Sequence, residues 1–260
     1  MTWALDLDGV VWLADEPIAG AAGAVAALRA AGEQVVFITN NSSMRRTDQE
    51  AKLARHGIEA AGDLVTSAAV VAELVGPGER VLCCGGPGLA DALTERGAEV
   101  IVNDGTEVSA IDAVVVGFHR QFDFARMDVA SAAVRAGARF LASNDDATYP
   151  TPSGPIPGGG AILAGIERAA GARAVVAGKP YAPMVEHLRR RFGPRGTVVG
   201  DRPDTDGALA RALGWRFALV LSGITTDPAS VDPPPDEVAS SLASLVERTL
   251  PGAPGSPHDS

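Results

Sequence analysis

The sequence predicts an α/β fold built on a doubly wound parallel sheet. Apolar runs alternate with Ala- and Leu-rich periodic segments along most of the 260 residues. Several of these runs are rich in Val and Ile on both faces, which is typical of buried parallel strands covered by helices. The repeated alternation of strand-like and helix-like segments favours a layered α/β architecture.

The predicted strands are residues 3–7, 34–39, 80–84, 113–117, 140–143, 174–177, 197–199 and 216–220. Helical periodicity lies between them and is clearest over residues 23–31, 126–136 and 161–170. Three successive prolines mark residues 231–236 as a surface connector, and a short helix is predicted over 237–250. The tail 251–260 is rich in Pro, Gly and Ser and is predicted to be disordered.

Composition and charge exclude several classes of partner. The chain is 46% hydrophobic and 21% charged with a formal net charge of −10, which argues against a nucleic-acid partner. Apolar runs stay well below the ~18 residues that a membrane span needs, so no membrane association is expected. Cys83 and Cys84 are neighbours and therefore poor disulfide partners, so a reduced, cytoplasmic protein is predicted.

Two carboxylates, Asp6 and Asp8, lie at the carboxyl end of the first predicted strand and precede Gly9. Ligands of open α/β sheets bind at the carboxyl ends of strands, and a spacing of two places both side chains on one side of the backbone. Paired carboxylates suit a divalent cation, with one residue free to attack and the other to transfer protons. Taken alone, an Asp-x-Asp-Gly segment is more often a turn or a helix cap.

Three further strand ends carry polar residues that suit phosphate chemistry. Thr39 and Asn40 can present a hydroxyl and backbone N–H groups to a phosphate, and Lys179 can neutralise one. Asp201 is a natural metal ligand, with Asp206 behind it. Each also has a plain structural explanation, namely helix capping for the threonine loop and for Asp206, and a surface position for Lys179. The four strand ends together, in this order, indicate a catalytic site.

This ordered set resembles the motifs of the haloacid dehalogenase superfamily over about residues 3–220. The resemblance implies that Asp6 is the phosphate-accepting nucleophile, Asp8 the general acid/base and Lys179 the lysine of the third motif. It further implies phosphate binding by Thr39 and Asn40, and Mg²⁺ held by Asp6, Asp201 and the carbonyl oxygen of Asp8, with Asp206 supporting the metal. Arg202, next to Asp201, is a candidate ion-pair partner behind the metal. Dehalogenase members lack the second Asp, so Asp8 favours a phosphatase, because an alkoxide leaving group needs a proton and a halide does not.

The position of an inserted segment indicates which branch of the superfamily the sequence resembles. The chain between Asp6 and Thr39 fits one helix and one strand, whereas that between Thr39 and Lys179 is far longer than this connection needs. A Rossmann-like core of residues 1–77 and 178–250 is therefore expected, with an inserted α/β cap over 78–177. Segments 143–146, 149–152 and 157–160 resemble the NagD-like branch, which includes 4-nitrophenylphosphatase, phosphoglycolate phosphatase and pyridoxal phosphatase. By that resemblance, the candidates for substrate recognition are Asp145, Asp146, Tyr149 and Thr151.

The predicted function is Mg²⁺-dependent hydrolysis of a small-molecule phosphate monoester through an aspartyl-phosphate intermediate. Phosphoglycolate, glycerol phosphate, pyridoxal phosphate, a nucleotide and a sugar phosphate all stay open as substrates. A phosphotransferase or mutase shares the intermediate, and a non-enzymatic phospho-acceptor is disfavoured because Asp8 and Lys179 occur together. A dinucleotide-binding oxidoreductase using Gly86 and Gly88 is disfavoured by Asp91 at the third glycine position. A homodimer through the cap follows from the resemblance alone.

Overall fold

The structure is a computed structural model, and it describes residues 1–60, 62–149, 151 and 154–250. The predicted disordered tail 251–260 lies outside the described residues. The strands are β1 (Thr2–Asp6), β2 (Trp12–Leu13), β3 (Glu16–Pro17), β4 (Gln34–Thr39), β5 (Leu64–Thr66), β6 (Arg80–Cys84), β7 (Glu99–Val102), β8 (Ala113–Val116), β9 (Arg139–Ala142), β10 (Thr148–Tyr149), β11 (Ile156–Pro157), β12 (Val175–Val176), β13 (Gly196–Gly200), β14 (Arg216–Val220) and β15 (Glu237–Ala239).

The helices are α1 (Ala21–Ala30), α2 (Arg46–Arg55), α3 (Ser67–Ala72), α4 (Pro87–Glu95), α5 (Phe124–Arg135), α6 (Gly159–Ala170), α7 (Ala182–Phe192), α8 (Ala208–Leu213) and α9 (Leu242–Thr249). A π-helical turn covers Pro203–Gly207 and a 3₁₀ turn covers Pro228–Ser230. Within the described ranges, no helix combines the length and the apolar character that crossing a membrane requires.

The chain divides into two compact units. The first unit comprises Met1–Ile38, Glu50–Val65 and the described chain from Val185 onward, and the second comprises Thr39–Gln49 and Thr66–Met184. Asp6, Asp8, Asp201 and Asp206 therefore belong to the first unit, whereas Thr39, Asn40 and Lys179 belong to the second. The predicted core and cap boundaries, 1–77, 78–177 and 178–250, stay a prediction.

The first unit contains a six-stranded sheet in the order β15-β14-β13-β1-β4-β5. The pairs of β1 with β13 and β4, of β13 with β14, and of β14 with β15 are all parallel. From β1, the chain adds β4 and β5 towards one edge of the sheet. From β13, it adds β14 and β15 towards the other edge, so the sheet is doubly wound. The reversal lies between β1 and β13, and open α/β sheets bind ligands beyond the carboxyl ends of the strands at such a point.

The core of the first unit lies between this sheet and its helices. Leu5 and Phe37 from adjacent strands pack with Leu28 of α1, Leu53 of α2 and Leu245 of α9, and all five are fully buried. Burying one such side chain contributes roughly 1.5–3 kcal/mol. This packed layer makes the sheet a rigid support for the residues at its strand ends.

The second unit contains a five-stranded sheet in the order β12-β9-β8-β6-β7, and all its strand pairs are parallel. Its core packs buried strand residues such as Val114 and Val116 against Leu163 and Ile166 of α6. Cys83 and Cys84 are buried free thiols, and burial raises the pKa of each to about 12. Neither thiol therefore carries the thiolate character of a reactive cysteine.

The α/β fold class is confirmed, and each predicted strand coincides with an observed one. The helix predicted over 237–250 is wrong at its beginning, because Glu237–Ala239 forms β15 and pairs in parallel with β14. Helix α9 begins only after Ser241, which forms a capping box with Ser244. The short strand contains only one β-branched residue, so its sequence carries little strand signal.

Candidate functional site

Three buried carboxylates meet at the reversal point of the first unit's sheet. Asp6 is the last residue of β1, and Asp201 directly follows β13, with Leu5 and Val199 in register between the two strands. Asp206 lies in the π-helical turn that follows. Carboxylate oxygens of the three aspartates all lie within 4.8 Å of one another. Parallel pairing thus brings together side chains that are far apart in sequence.

Backbone N–H groups orient the three carboxylates. Leu7 N–H donates to Asp6 Oδ1 over 2.8 Å, and Ile224 N–H donates to Asp201 Oδ2 over 2.7 Å. In the π-helical turn, the N–H of Arg202 donates to Asp206 Oδ2 over 3.2 Å. Such bonds to a carboxylate favour its ionised form and hold its orientation.

Glycines surround Asp201 and Asp206 where any side chain would collide with them. A Cβ on Gly9 would lie 2.4 Å from Asp201 Cγ, and one on Gly223 would lie 1.9 Å from Asp201 Oδ2. A Cβ on Gly200 would lie 2.2 Å from Asp206 Cγ. The close approach of backbone on three sides leaves these carboxylates little freedom to move.

The acidic cluster fits a small hard cation. Carboxylate oxygens are the ligands that Mg²⁺ prefers, and the ion commonly takes one or two of them together with phosphate or water oxygens. Three negative charges buried within 4.8 Å of one another repel strongly unless a cation or a proton is shared among them. Asp6 and Asp201 belong to the predicted ligand set, and the third carboxylate of the cluster is Asp206, which the sequence assigned to a supporting position.

The carboxylate of Asp8 has a different environment. It is half-buried, and its Oδ1 accepts a hydrogen bond from the indole Nε1 of Trp12 over 3.0 Å. Gly9 has φ +80°, so only glycine adopts this backbone conformation readily, and the chain turns sharply there. The side chain of Asp8 is not one of the three clustered carboxylates. Two aspartates separated by one residue therefore have distinct surroundings, as a division of roles requires.

Arg202 contacts an acid outside the cluster. Its guanidinium forms an ion pair with Asp204 over 3.0 Å, and the Asp204 side chain is 68% exposed. Because the partner is largely in water, this pair contributes little to stability. The backbone N–H of Arg202 also contacts the cluster, because it donates to Asp206.

In the second unit, the side chain of Asn40 binds the backbone of Lys179 on both sides of its Cα. Asn40 Oδ1 accepts from Lys179 N–H over 2.8 Å, and Asn40 Nδ2 donates to the Lys179 carbonyl over 3.2 Å. Nδ2 also donates to Asp146 over 3.2 Å. Both functional atoms of the Asn40 amide are thus engaged with protein groups, which leaves its backbone N–H as the group suited to an anion.

Lys179 and Thr39 are both 2% exposed. A buried ammonium group requires anionic or carbonyl partners, because its transfer from water costs several kcal/mol. Thr39 Oγ1 accepts from Asn41 N–H over 3.0 Å, so its hydroxyl hydrogen is oriented away from that bond. These two residues have the burial and donor groups that phosphoryl binding needs.

The four candidate recognition residues lie in the described part of the second unit. The ring of Tyr149 stacks on Phe118, with centroids 4.6 Å apart and planes 7° from parallel, and Asn41 donates to its hydroxyl. Asp145 accepts a hydrogen bond from Tyr181, and this bond, with burial and the acidic neighbours, raises the pKa of Tyr181 to about 12. The hydroxyl of Thr151 donates to the Gly154 carbonyl over 2.6 Å.

Several contacts of this group were not predicted from the sequence. Phe118, Tyr181 and Asn41 are brought to the predicted residues by the fold of the second unit. Tyr181 follows Lys179 by two positions, which is the one local signal that could have identified it. Phe118 lies in the loop after β8, and no motif marks it.

The glycine-rich turn at Gly86 and Gly88 has a structural explanation. A Cβ on Gly86 would lie 2.2 Å from Ser43 Oγ, and one on Gly88 would lie 2.1 Å from the Met44 carbonyl oxygen. The N–H of Gly88 also donates to the Ser43 carbonyl over 2.9 Å. Backbone of residues 43–44 thus lies against this turn, where a dinucleotide would need its pyrophosphate to approach. This packing argues against the dinucleotide alternative.

We expect Gly88→Ala to destabilise the protein by about 1–3 kcal/mol, because the new methyl group collides with a backbone carbonyl. The matched control is Gly23→Ala in α1, where a Cβ would have nothing within 4 Å and alanine is a better helix former than glycine by about 1 kcal/mol. Urea unfolding midpoints measure both changes. Wild-type stability in Gly88→Ala would contradict the close packing.

Comparison with known proteins gives two family matches. Residues 3–99 match the family model described as haloacid dehalogenase-like hydrolase, and residues 176–245 match a second model described as HAD-hydrolase-like. The two matched segments carry Asp6, Asp8, Thr39, Lys179 and Asp201.

Curated relatives and solved structures agree with these matches. D-glycerol 3-phosphate phosphatase of Mycobacterium tuberculosis is 36% identical over 228 residues, covering 85% of this chain, which spans only 63% of that protein. Acid sugar phosphatase of Staphylococcus saprophyticus is 35% identical over 229 residues, covering 85% of this chain and 86% of that protein. A crystal structure of the mycobacterial glycerol phosphate phosphatase with magnesium matches with TM-score 0.84 and 34% identity, over 94% and 75% of the two chains. The 4-nitrophenylphosphatase structure from Thermotoga maritima matches with TM-score 0.86 and 31% identity, over 95% and 96%.

Proposed function

Because the chain belongs to the haloacid dehalogenase-like hydrolase family, as a phosphoric monoester hydrolase of its NagD-like branch, we propose that it hydrolyses small-molecule phosphate monoesters through an aspartyl phosphate on Asp6. The observation that carries this proposal is the cluster of Asp6, Asp201 and Asp206 at the reversal point of a doubly wound sheet. Asp6 is the candidate nucleophile, since its carboxylate is buried, oriented by Leu7 N–H and part of that cluster.

Mg²⁺ is the cofactor of this chemistry, and the aspartates of the cluster are the residues that would hold it. The resemblance adds the carbonyl oxygen of Asp8 as a ligand. A bound Mg²⁺ supplies positive charge that offsets the repulsion between a carboxylate nucleophile and a phosphate dianion. Asp201 is held for this task by Ile224 N–H and by the glycines beside it.

The two aspartates of the first strand end divide the reaction between them. Asp6 attacks phosphorus, forming an acyl phosphate as the bond to the leaving oxygen breaks. Asp8 donates a proton to that oxygen, then accepts a proton from the water that hydrolyses the intermediate. The separate environment of Asp8, beside Trp12 and outside the acidic cluster, supports its role in proton transfer.

We assign phosphoryl binding to Thr39, the backbone N–H of Asn40 and Lys179, as the resemblance implies. The burial of Thr39 and Lys179 and the two-point bond of Asn40 to the Lys179 backbone support this assignment. Recognition of the leaving group is proposed for residues 78–177 as the cap, through Asp145, Asp146, Tyr149 and Thr151. The homodimer through the cap and the reduced, cytoplasmic location stay proposals, and the molar mass of the protein in solution tests the former.

The proposed reaction is tested with 4-nitrophenyl phosphate and Mg²⁺ in ¹⁸O-labelled water. Hydrolysis places one labelled oxygen in the released phosphate, whereas a phosphotransferase supplied with an alcohol such as glycerol forms a phosphate ester instead. Rapid acid quenching followed by peptide mass analysis should detect phosphate on the peptide that contains Asp6. Turnover without any phosphorylated Asp6 peptide, under conditions that slow hydrolysis of the intermediate, would contradict the mechanism.

A further inference from the structure

The indole of Trp12 is hydrogen-bonded to the candidate general acid. Trp12 Nε1 donates to Asp8 Oδ1 over 3.0 Å, and the indole is 3% exposed. The intervening turn is closed by two backbone bonds, from Gly9 N–H to the Trp12 carbonyl over 2.7 Å and from Trp12 N–H to the Leu7 carbonyl over 3.2 Å. The Trp12 indole and the Asp8 carboxylate therefore belong to one rigid turn, which follows directly after the candidate nucleophile Asp6.

Lys52 of α2 holds the indole from its face. Its Nζ lies 4.4 Å from the centroid of the Trp12 ring, and the residue is 7% exposed. Nζ also donates to the Ala14 carbonyl over 2.6 Å and to Asp15 over 3.1 Å. Ala14 has φ +55°, an uncommon conformation for a residue with a Cβ, so this bond stabilises a strained turn between β2 and β3.

The burial of the Lys52 ammonium group indicates a role beyond a surface ion pair. The Asp15 side chain is 87% exposed, so its charge is screened by water and compensates little of the burial cost. The indole face and the Ala14 carbonyl are therefore the main compensating groups among the residues that the structure describes. A cation over the ring also draws electron density from the indole, which strengthens its N–H as a donor.

The other two tryptophans show that burial alone does not demand such a bond. Trp3 and Trp215 are 5% and 6% exposed, and their Nε1 atoms have no hydrogen-bond partner among the residues that the structure describes. Trp12 is thus the tryptophan whose N–H is directed at a functional group. Packing in the core accounts for the burial of the Trp12 ring, but it does not account for the direction of the indole N–H towards Asp8.

We propose that Trp12 is a positioning residue for proton transfer and that Lys52 holds its indole in place. The indole N–H occupies Oδ1 of Asp8 and fixes the carboxyl plane, so that Oδ2 is the oxygen that serves the leaving group. In the step concerned, the Asp6–phosphorus bond forms and the bond to the leaving oxygen breaks. That oxygen keeps the electron pair and takes the proton from Asp8. The inference rests on the proposed role of Asp8.

The test compares kcat/KM for 4-nitrophenyl, phenyl and benzyl phosphate, which are similar in size and rise in leaving-group basicity. This ratio reports steps up to departure of the leaving group, so later hydrolysis of the intermediate does not mask the effect. Trp12→Phe should lower the value for benzyl phosphate by about tenfold or more, because an alkoxide depends on the proton. The value for 4-nitrophenyl phosphate should fall by less than about threefold, since a nitrophenolate departs without one.

Three variants make the result decisive. Trp215→Phe removes a buried N–H that has no partner among the described residues. Its kcat/KM, divided by that of the wild type, should therefore be the same for all three substrates. Lys52→Met keeps the apolar stem and should reproduce the pattern of Trp12→Phe more weakly. An equal fall for all three substrates in Trp12→Phe would overturn the inference. Asp8→Asn should show the steepest dependence on the leaving group, and a flat response there would instead overturn the proposed role of Asp8.

A second measurement needs no turnover and uses Trp12→Phe only to assign a signal. The chain has three tryptophans, so a ¹H–¹⁵N spectrum shows three indole N–H signals, and Trp12→Phe identifies one of them. A hydrogen bond to a carboxylate moves an indole signal downfield, and Asp8→Ala should return it upfield while the other two stay in place. A Trp12 signal that does not move in Asp8→Ala would overturn the hydrogen bond itself.

Discussion

Asp6→Asn is expected to lower phosphatase activity by about 10⁴-fold or more, because an amide nitrogen cannot form the aspartyl phosphate. The amide oxygen can still accept from Leu7 N–H, so the variant should fold. Removing one of three buried charges that lie within 4.8 Å should raise the thermal midpoint of the metal-free protein. Release of 4-nitrophenolate and a thermal melt in chelator measure the two effects.

The combination of lost activity and gained stability separates a catalytic carboxylate from a structural one. A structural aspartate would lose stability together with activity, whereas charges kept close together for catalysis cost stability in the free protein. Asp128→Asn, a change at an exposed acid on α5, serves as the matched control and should alter neither quantity. Retained activity in Asp6→Asn would eliminate Asp6 as the nucleophile.

The main sheets could be predicted because their strands are buried on both faces. The runs Gln34–Thr39 and Arg216–Val220 are apolar and buried in their interior, and the sequence predicts both as strands. The strands that escaped prediction, including Leu64–Thr66 and Glu99–Val102, are short, and the latter has no buried residue. Their strand state depends on pairing with a neighbour, for example Val81 with Val100, and no local pattern records that pairing.

The acidic cluster was predictable for a similar reason. Asp6 ends one recognisable strand and Asp201 directly follows another, and the carboxyl ends of parallel strands lie at one edge of the sheet. The position of Asp206 among the ligand atoms depends on a π-helical turn, a rare conformation that sequence periodicity does not indicate. Trp12 and Lys52 escaped prediction because an apolar ring and a helical lysine each have an ordinary explanation until they are placed together.

Asp201→Asn is expected to abolish the stabilisation of the folded protein by Mg²⁺. An ion that binds only the folded state stabilises it by about 2.7 kcal/mol at a concentration one hundred times its dissociation constant. Asp201 contributes one of three closely spaced carboxylates, so its loss removes both a ligand atom and part of the charge that attracts the cation. The amide oxygen of asparagine can still accept from Ile224 N–H, so the fold should persist. Thermal midpoints with and without Mg²⁺ measure the effect directly, independently of turnover.

Asp204→Asn is the matched control, because it changes an acid in the same turn that is paired with Arg202 and lies outside the acidic cluster. Its Mg²⁺-induced shift should equal that of the wild type. Asp206→Asn should reduce the shift as Asp201→Asn does if Asp206 contributes a ligand atom, as its distance to the other two carboxylates indicates. An unchanged shift in Asp201→Asn would place the metal elsewhere. The π-helical turn holds Asp206 in the cluster and Asp204 beside Arg202. Comparing the Mg²⁺-induced shifts of the Asp201, Asp204 and Asp206 variants therefore identifies which carboxylates bind the ion.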